Sequence, residues 1–312
     1  MANKTAFRSG IVPPLVTPLL DRDTIDVEGT KRLVEHVIRG GVSGIFILGT
    51  TGEAPSLSYR LRKSFIKLVC EHVGGRIPVY VGITDTSFVE SVQMAKTAHE
   101  SDATAVVLAA PYYFPEGQAE LIQYVTHIVR ELPIPLILYN MPSMTKVWFE
   151  IESLEKLAAF KNIIGIKDSS ADLDYYKQLI SLKRMRPDWS ILMGPEHLLV
   201  ESMRLGGDGG VNGGANIFPE LFTSLYAACR AGDETKITKL QGFVEELQAI
   251  YTIGKYASRY LKATKTALYL RGICSDCLAE PFNHFLPPER KAVQEIIEPL
   301  TATLVDAGII DA

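Results

Sequence analysis

The feature that most constrains this chain is an alternation of short apolar runs, each about strand length, with stretches of helical periodicity. The runs occupy residues 10–16, 44–48, 79–83, 104–108, 135–139, 163–167, 190–193 and 209–211. They are rich in Val, Ile and Leu and lack the in–out alternation of a strand with one wet face. Strands buried on both faces read this way, and parallel sheets covered by helices produce them. Between the runs, segments such as 30–39, 57–73, 88–98, 119–131 and 198–205 repeat their apolar residues at i, i+3, i+4 and i+7, the stripe of an amphipathic helix. A run and its helix take up roughly 20–35 residues, the length of one βα unit. Eight such units place the chain in the α/β class and favour a closed (β/α)8 TIM barrel over an open, doubly wound sheet.

After a helix over 219–231 the strand signals stop. Segments 234–253, 256–271 and 288–305 all read as helix, punctuated by Pro281 and by Pro287 and Pro288, which suit the first turn of the last helix. The expected division is a barrel carrying the catalytic site over 1–231 and a C-terminal helical region over 232–312. A barrel of about 250 residues with a helical extension fits a chain of 312. At 47% hydrophobic and 22% charged residues the composition is that of a folded globular protein. A net charge of −4, from 32 basic and 36 acidic residues, gives no reason to expect a nucleic-acid partner. The opening MANKTAFRSG has no apolar leader core, and no run approaches about 18 uninterrupted apolar residues, so neither secretion nor a membrane is indicated and a cytoplasmic protein is expected.

Several chemistries find no support. The six histidines are dispersed without an HExxH pair, which disfavours a metal-dependent mechanism, and neither a P-loop nor a GxGxxG fingerprint occurs. Cys274 and Cys277 form a lone CxxC in the helical region. A zinc site would need two more ligands and a redox motif would follow a strand, so they read as ordinary buried cysteines. No metal and no cofactor are expected.

In such barrels the reactive groups sit at the C-terminal ends of the strands. Gly49-Thr50-Thr51-Gly52-Glu53 follows the second run, Pro111-Tyr112-Tyr113 the fourth, and Gly194-Pro195-Glu196-His197 the seventh; the fifth ends in Tyr139-Asn140-Met141-Pro142 and the sixth in Lys167-Asp168-Ser169-Ser170. Lys167 is the strongest clue, because four largely apolar residues lead straight into it and its stem should emerge from the barrel interior. Burial disfavours an ammonium, and a free amine so placed can attack a carbonyl and form an imine that acts as an electron sink. The ordinary alternative is a strand-end lysine paired with a carboxylate and reaching to water. Gly49 and Gly52 permit tight turns that present amide N–H groups to an anion, with the hydroxyls of Thr50 and Thr51 as further donors. Tyr139 and Tyr113 are candidate proton carriers, although a lone tyrosine at a strand end is more often packing.

Taken in order, the segments GIVPPLVTP, GTTGE, PYY, YNMPSMT, GIKDSS and GGANIFP resemble the dihydrodipicolinate synthase/N-acetylneuraminate lyase superfamily of class I pyruvate-dependent aldolases, over about Phe7 to Arg290. The resemblance implies a (β/α)8 barrel with a C-terminal helical region, usually as a homotetramer. It also implies roles: Lys167 forms a Schiff base with pyruvate or a 2-oxo acid, and Tyr139 is the general acid/base. Thr50 positions Tyr139 in a hydroxyl relay completed by Tyr113, often from a neighbouring subunit. Thr51 and the loop amides, including Gly52, bind the pyruvate carboxylate, and the Val211 carbonyl faces the imine. Ser169, Glu196 and His197 match positions that touch substrate hydroxyls in sugar-acid lyases.

Departures from the pattern bear on the substrate. The synthases carry an arginine, two residues after the proline of the tyrosine motif, for the carboxylate of the aldehyde substrate; here that position is Met144. A thioether cannot make a charge-assisted hydrogen bond, a contact worth about 1.5–3 kcal/mol. Tyr59, Arg62 and Thr86 stand where the lysine-feedback site of those enzymes often has histidines and asparagine, while Glu90 fits. The expected reaction is therefore cleavage, or formation, of a 2-keto-3-deoxy sugar acid from pyruvate and a small aldehyde. Thr50-Thr51, in place of the Ser-Thr usual in sialic acid lyases, weighs slightly against sialic acid. The alternatives are a sugar-acid dehydratase using the same imine, dihydrodipicolinate synthesis from pyruvate and aspartate semialdehyde, and a protein that binds a 2-oxo acid without turnover.

Overall fold

Eight parallel strands close into a ring in the computed structural model, which describes residues 9–311. They are β1 (Gly10–Ile11), β2 (Ile45–Ile47), β3 (Val79–Gly82), β4 (Ala105–Ala109), β5 (Leu136–Asn140), β6 (Ile163–Asp168), β7 (Ser190–Met193) and β8 (Gly209–Gly210). Each pairs with its sequence neighbours, and β8 pairs with β1. The seam between β1 and β2 is completed beyond the regular strand by a parallel bridge between Pro14 and Phe46. There Phe46 N–H donates to Pro13 O (3.0 Å) and Leu15 N–H donates to Phe46 O (2.8 Å).

The first apolar run is thus a shorter strand than its hydrophobicity indicates. Pro13 and Pro14 have no N–H to give to the ladder, and regular pairing stops before them. The eighth strand needs glycine for a different reason. Gly209 has φ +145°, and a Cβ there would lie 2.0 Å from the carbonyl oxygen of Gly10 across the seam. A hairpin of Leu19–Asp21 with Thr24–Ile25, which the apolar pattern does not show, follows β1.

Helices alternate with the strands: α1 (Val27–Arg39), α2 (Tyr59–Val73), α3 (Phe88–Glu100), α4 (Gln118–Glu131), α5 (Ile151–Leu157), α6 (Leu173–Ser181), α7 (Leu199–Arg204) and α8 (Pro219–Ala231). A single helical turn, Pro142–Thr145, precedes α5. Asp26, Ser58, Ser87 and Asp172 cap α1, α2, α3 and α6 by accepting an amide N–H of the first turn. Three further helices follow: α9 (Glu234–Gln248), α10 (Arg259–Leu270) and α11 (Pro287–Asp306). The predicted helix over 234–253 ends early, tightening into a 3-10 turn at Ala249–Thr252 before Gly254 at φ +89°.

Strand side chains divide between two cores. One set, including Val12, Phe46, Tyr80, Val107, Ile137 and Leu192, fills the barrel interior, while the other packs outward against the helices. The interior is closed by bulky groups, so only its C-terminal mouth is open to chemistry. No helix among the described residues is long and apolar enough to cross a membrane.

Candidate active site

Lys167 and Tyr139 meet because they are register partners on β6 and β5, pointing into the barrel from neighbouring strands. Each is only 5% exposed. The Lys167 Nζ lies 4.1 Å from the centroid of the Tyr139 ring and 5.2 Å from that of Phe46. Burial alone would push the Tyr139 phenol up. The positive charge of Lys167 and the hydroxyls of Thr50 and Ser169 outweigh it, so the phenol sits below the ordinary tyrosine value. The Thr50 hydroxyl is 3.5 Å from that of Tyr139, a long contact of the kind that tightens when a substrate arrives. One residue further along each strand, Asn140 Nδ2 donates to Asp168 Oδ1 (2.8 Å), and the Ser170 hydroxyl donates to Asp168 Oδ2 (2.9 Å). These bonds tie the tops of β5 and β6 together next to Tyr139 and Lys167.

The glycine–threonine loop follows β2, but its glycines do not work as the sequence indicates. The left-handed conformations in this stretch belong to Leu48 and Glu53, both at φ 57°, not to Gly49 or Gly52. Gly52 N–H donates to Gly49 O (3.1 Å) and Gly52 O accepts from the Thr17 hydroxyl (2.8 Å), so Gly52 is committed inside the loop and does not line the site. Thr50 and Thr51 do line it. Glu53 turns away from solvent and pairs with Lys265 of α10 at 2.5 Å, with 0% and 1% of the two side chains exposed. Its second oxygen accepts from Ala279 N–H at 2.9 Å, and Lys265 also donates to Cys277 O at 2.6 Å. The loop that presents the two threonines is therefore anchored on the C-terminal helical region.

A cavity of about 670 Å³ opens over Lys167. Thr50, Thr51, Tyr139, Met144, Ser169, Glu196, His197 and Val211, all singled out in the sequence, line it. Met144 lies half-exposed on the turn Pro142–Thr145. Tyr113 is not among the lining residues: its ring is 75% exposed and stacks edge-on against Phe114, and Tyr112 takes a place in the wall instead. Tyr59 and Arg62 are both tied to Asp85, the tyrosine hydroxyl at 3.2 Å and the guanidinium at 3.0 Å in a buried ion pair.

The far wall is the part the sequence did not reveal. Gln248, Tyr251, Ser258, Tyr260 and Phe282 reach it from the C-terminal helical region. Tyr251 and Tyr260 pack ring to ring at 4.5 Å. The Tyr260 hydroxyl rests on Gly213, where a Cβ would lie 1.4 Å from it, so no other residue fits there. Glu196 is 5% exposed and its Oε2 accepts from Gly214 N–H at 2.6 Å. Burial pushes its carboxyl up to about 7, although the Gly214 amide and the nearby Tyr251 hydroxyl oppose the shift. Helical periodicity explains Tyr251 and Tyr260 as packing residues, so only the invasion of this wall by α9 and α10 identifies them.

With this geometry in view, comparison with known proteins is informative. The dihydrodipicolinate synthetase family profile matches residues 7–300. A probable 2-dehydro-3-deoxy-D-pentonate aldolase of Escherichia coli K12, YjhH, is 30% identical over 305 residues, covering 97% of this chain and 98% of the relative. The structure of dihydrodipicolinate synthase from Bacteroides thetaiotaomicron is 50% identical with a TM-score of 0.92, over 94% of this chain and 99% of that one. The structure of E. coli K12 YagE in complex with pyruvate is 28% identical with a TM-score of 0.90, over 95% and 99% of the two chains. The chain belongs to the dihydrodipicolinate synthetase family.

Proposed function

We propose that this protein is a class I, lysine-imine lyase that splits a 2-keto-3-deoxy sugar acid into pyruvate and an uncharged, hydroxylated aldehyde. One observation carries the choice of substrate: among the described lining residues of the cavity, Lys167 is the only lysine or arginine. Once that amine is consumed in an imine, no fixed cation remains to hold a second carboxylate. Arg259 and Arg271, the arginines of the neighbouring C-terminal helix α10 and its end, do not line the cavity, and Arg271 is spent on Ile217 O and the Phe218 ring.

Chemically, the Lys167 amine adds to C2 of the 2-oxo acid and loses water to give an imine, with the substrate carboxylate held by Thr50 and Thr51. Tyr139, its phenol already lowered, takes the proton of the C4 hydroxyl. The C3–C4 bond then breaks, its electron pair flowing into the protonated imine, and the aldehyde leaves. The resulting enamine is protonated at C3 and hydrolysed to release pyruvate and the free lysine. No step calls on a metal or a cofactor. Ser169, Glu196 and His197 face the aldehyde half, and the Val211 carbonyl faces the imine. Exposed Tyr113 completes the hydroxyl relay of a neighbouring copy, in a homotetramer acting in the cytoplasm.

Dihydrodipicolinate synthesis is the second reading, favoured by the 50% identity to the Bacteroides synthase structure. Its aldehyde carries a carboxylate, which Met144 cannot hold. A panel decides between them: pyruvate release from 2-keto-3-deoxygluconate and its galactonate and arabonate relatives and from sialic acid, beside condensation of pyruvate with aspartate semialdehyde. Borohydride with pyruvate is expected to leave one reduced adduct on Lys167. Turnover of aspartate semialdehyde with inert sugar acids would overturn the proposal, loss of water with the carbon chain intact would make it a dehydratase, and an adduct elsewhere would overturn the mechanism.

A further inference from the structure

Thr50 and Thr51 are neighbours in sequence, yet each meets a different tyrosine. The Thr50 hydroxyl lies 3.5 Å from that of Tyr139 on β5, and the Thr51 hydroxyl is within hydrogen-bonding reach of Tyr260 on α10. All four residues line the cavity over Lys167. Thr51 is buried, so its hydroxyl depends on protein partners more than on water.

The two phenols are driven in opposite directions, and groups so separated take different roles in one site. Tyr139, beside the Lys167 charge, falls below the ordinary tyrosine value, which suits a group that gives and takes a proton. Burial and the negative charge of Glu196 push the Tyr260 phenol up, and the Thr51 and Tyr251 hydroxyls offset only part of that rise. Tyr260 therefore keeps its proton and is a lasting O–H donor.

Packing fixes where that donor sits. The Tyr260 ring stacks on Tyr251 at 4.5 Å, and its hydroxyl rests on Gly213, where a Cβ would lie 1.4 Å away. The loop carrying Thr51 is held to the same helix by the Glu53–Lys265 pair at 2.5 Å. A threonine hydroxyl both accepts and donates. With its oxygen engaged by Tyr260, its own proton is left to point at a ligand.

We propose that Tyr260 is a positioning residue for the 2-oxo acid: its O–H donates to Thr51, and Thr51 in turn presents its proton to the carboxylate. This rests on the reading of Thr51 as a carboxylate ligand of the lyase and extends it, since it gives the C-terminal helical region a part in binding the half of the substrate that becomes pyruvate.

The test measures borohydride trapping against pyruvate concentration for the unmodified enzyme, Tyr260→Phe and Gly213→Ala, and for Thr51→Val and Thr51→Ser with and without Tyr260→Phe. Tyr260→Phe keeps the ring on Tyr251 and removes the donor, while Gly213→Ala keeps the tyrosine and displaces its hydroxyl. Each is expected to raise the half-saturating pyruvate concentration about three- to tenfold, one hydrogen bond's worth. Full labelling of Lys167 at saturating pyruvate shows that the fold is in place. The effect of Tyr260→Phe should persist beside Thr51→Ser, which keeps a hydroxyl, and vanish beside Thr51→Val, which has none to orient. Unchanged half-saturation in both Tyr260→Phe and Gly213→Ala would overturn the positioning role and leave the lyase reading intact. So would an equal rise from Tyr260→Phe with and without Thr51→Val. No adduct on Lys167 in the unmodified enzyme would overturn the lyase reading itself.

Discussion

Replacing Lys265 by methionine isolates the contact that joins the loop carrying Thr50 and Thr51 to the helical region. The substitution keeps a flexible, unbranched stem and removes the charge. It leaves the Glu53 carboxylate, 0% exposed, with the Ala279 N–H as its remaining partner, and it also takes the donor from Cys277 O. Removing one member of a buried pair costs about 3–5 kcal/mol, because the other charge stays buried. That is a large share of the roughly 5–15 kcal/mol that keeps a typical domain folded. Urea unfolding followed by the fluorescence of buried Trp189 should show a loss near 4 kcal/mol on this scale. In the cold, where the variant stays folded, the pyruvate concentration that half-saturates borohydride trapping should rise, because Glu53 closes the loop carrying Thr50 and Thr51. The double variant Glu53→Gln, Lys265→Met should recover much of the lost stability. A loss below about 1 kcal/mol, the worth of a solvated surface pair, would refute the reasoning by showing that the pair is hydrated in solution.

Three further expectations follow from the site. Tyr139→Phe removes the hydroxyl and keeps the ring, so carbon–carbon cleavage should slow by about 10²–10⁴-fold while the imine with pyruvate still traps; wild-type turnover would assign the proton work elsewhere. Met144→Arg should lower kcat/KM for sugar acids by setting a cation against an uncharged tail, and a rise would mean that this half of the substrate is anionic. Glu196 binds its proton more tightly folded than unfolded, with its carboxyl at about 7 against an ordinary 4.5. The stability it contributes is fully present below about 4.5 and lost as pH rises through about 7. Relative to the unmodified protein, Glu196→Gln should therefore gain urea resistance between pH 5 and pH 8, and a difference independent of pH would contradict that burial.

The barrel was legible because its signal is local. A strand buried on both faces must be apolar along its whole length, and a covering helix must carry a stripe, so eight repeats of that grammar are visible in residue order alone. Lys167 was legible for the same reason, as a charge ending an apolar run. Pairing of the fifth run with the sixth puts it beside Tyr139. The loop after β2 was read only in part: its threonines line the cavity, yet the left-handed turns fall on Leu48 and Glu53, while Gly52 marks a close approach where a Cβ would lie 3.1 Å from Leu15 O and from Leu48 N.

Sequence by itself determined the fold class and the strand-end places of Lys167 and Tyr139, since alternation, strand ends and an amine leaving an apolar run are properties of short segments. Only the tertiary structure decided that Glu53 is paired with Lys265, and that Glu196, Gln248 and Tyr251 line one cavity. It also decided that Tyr113 faces outward while Tyr112 lines the wall. The physical reason is that a polar side chain's meaning depends on which groups, distant in sequence, are brought within hydrogen-bonding reach and shut off from water. Tyr251 has the same helical neighbours whether it packs in a core or faces a substrate. The difference is made by the barrel mouth against which α9 and α10 come to rest.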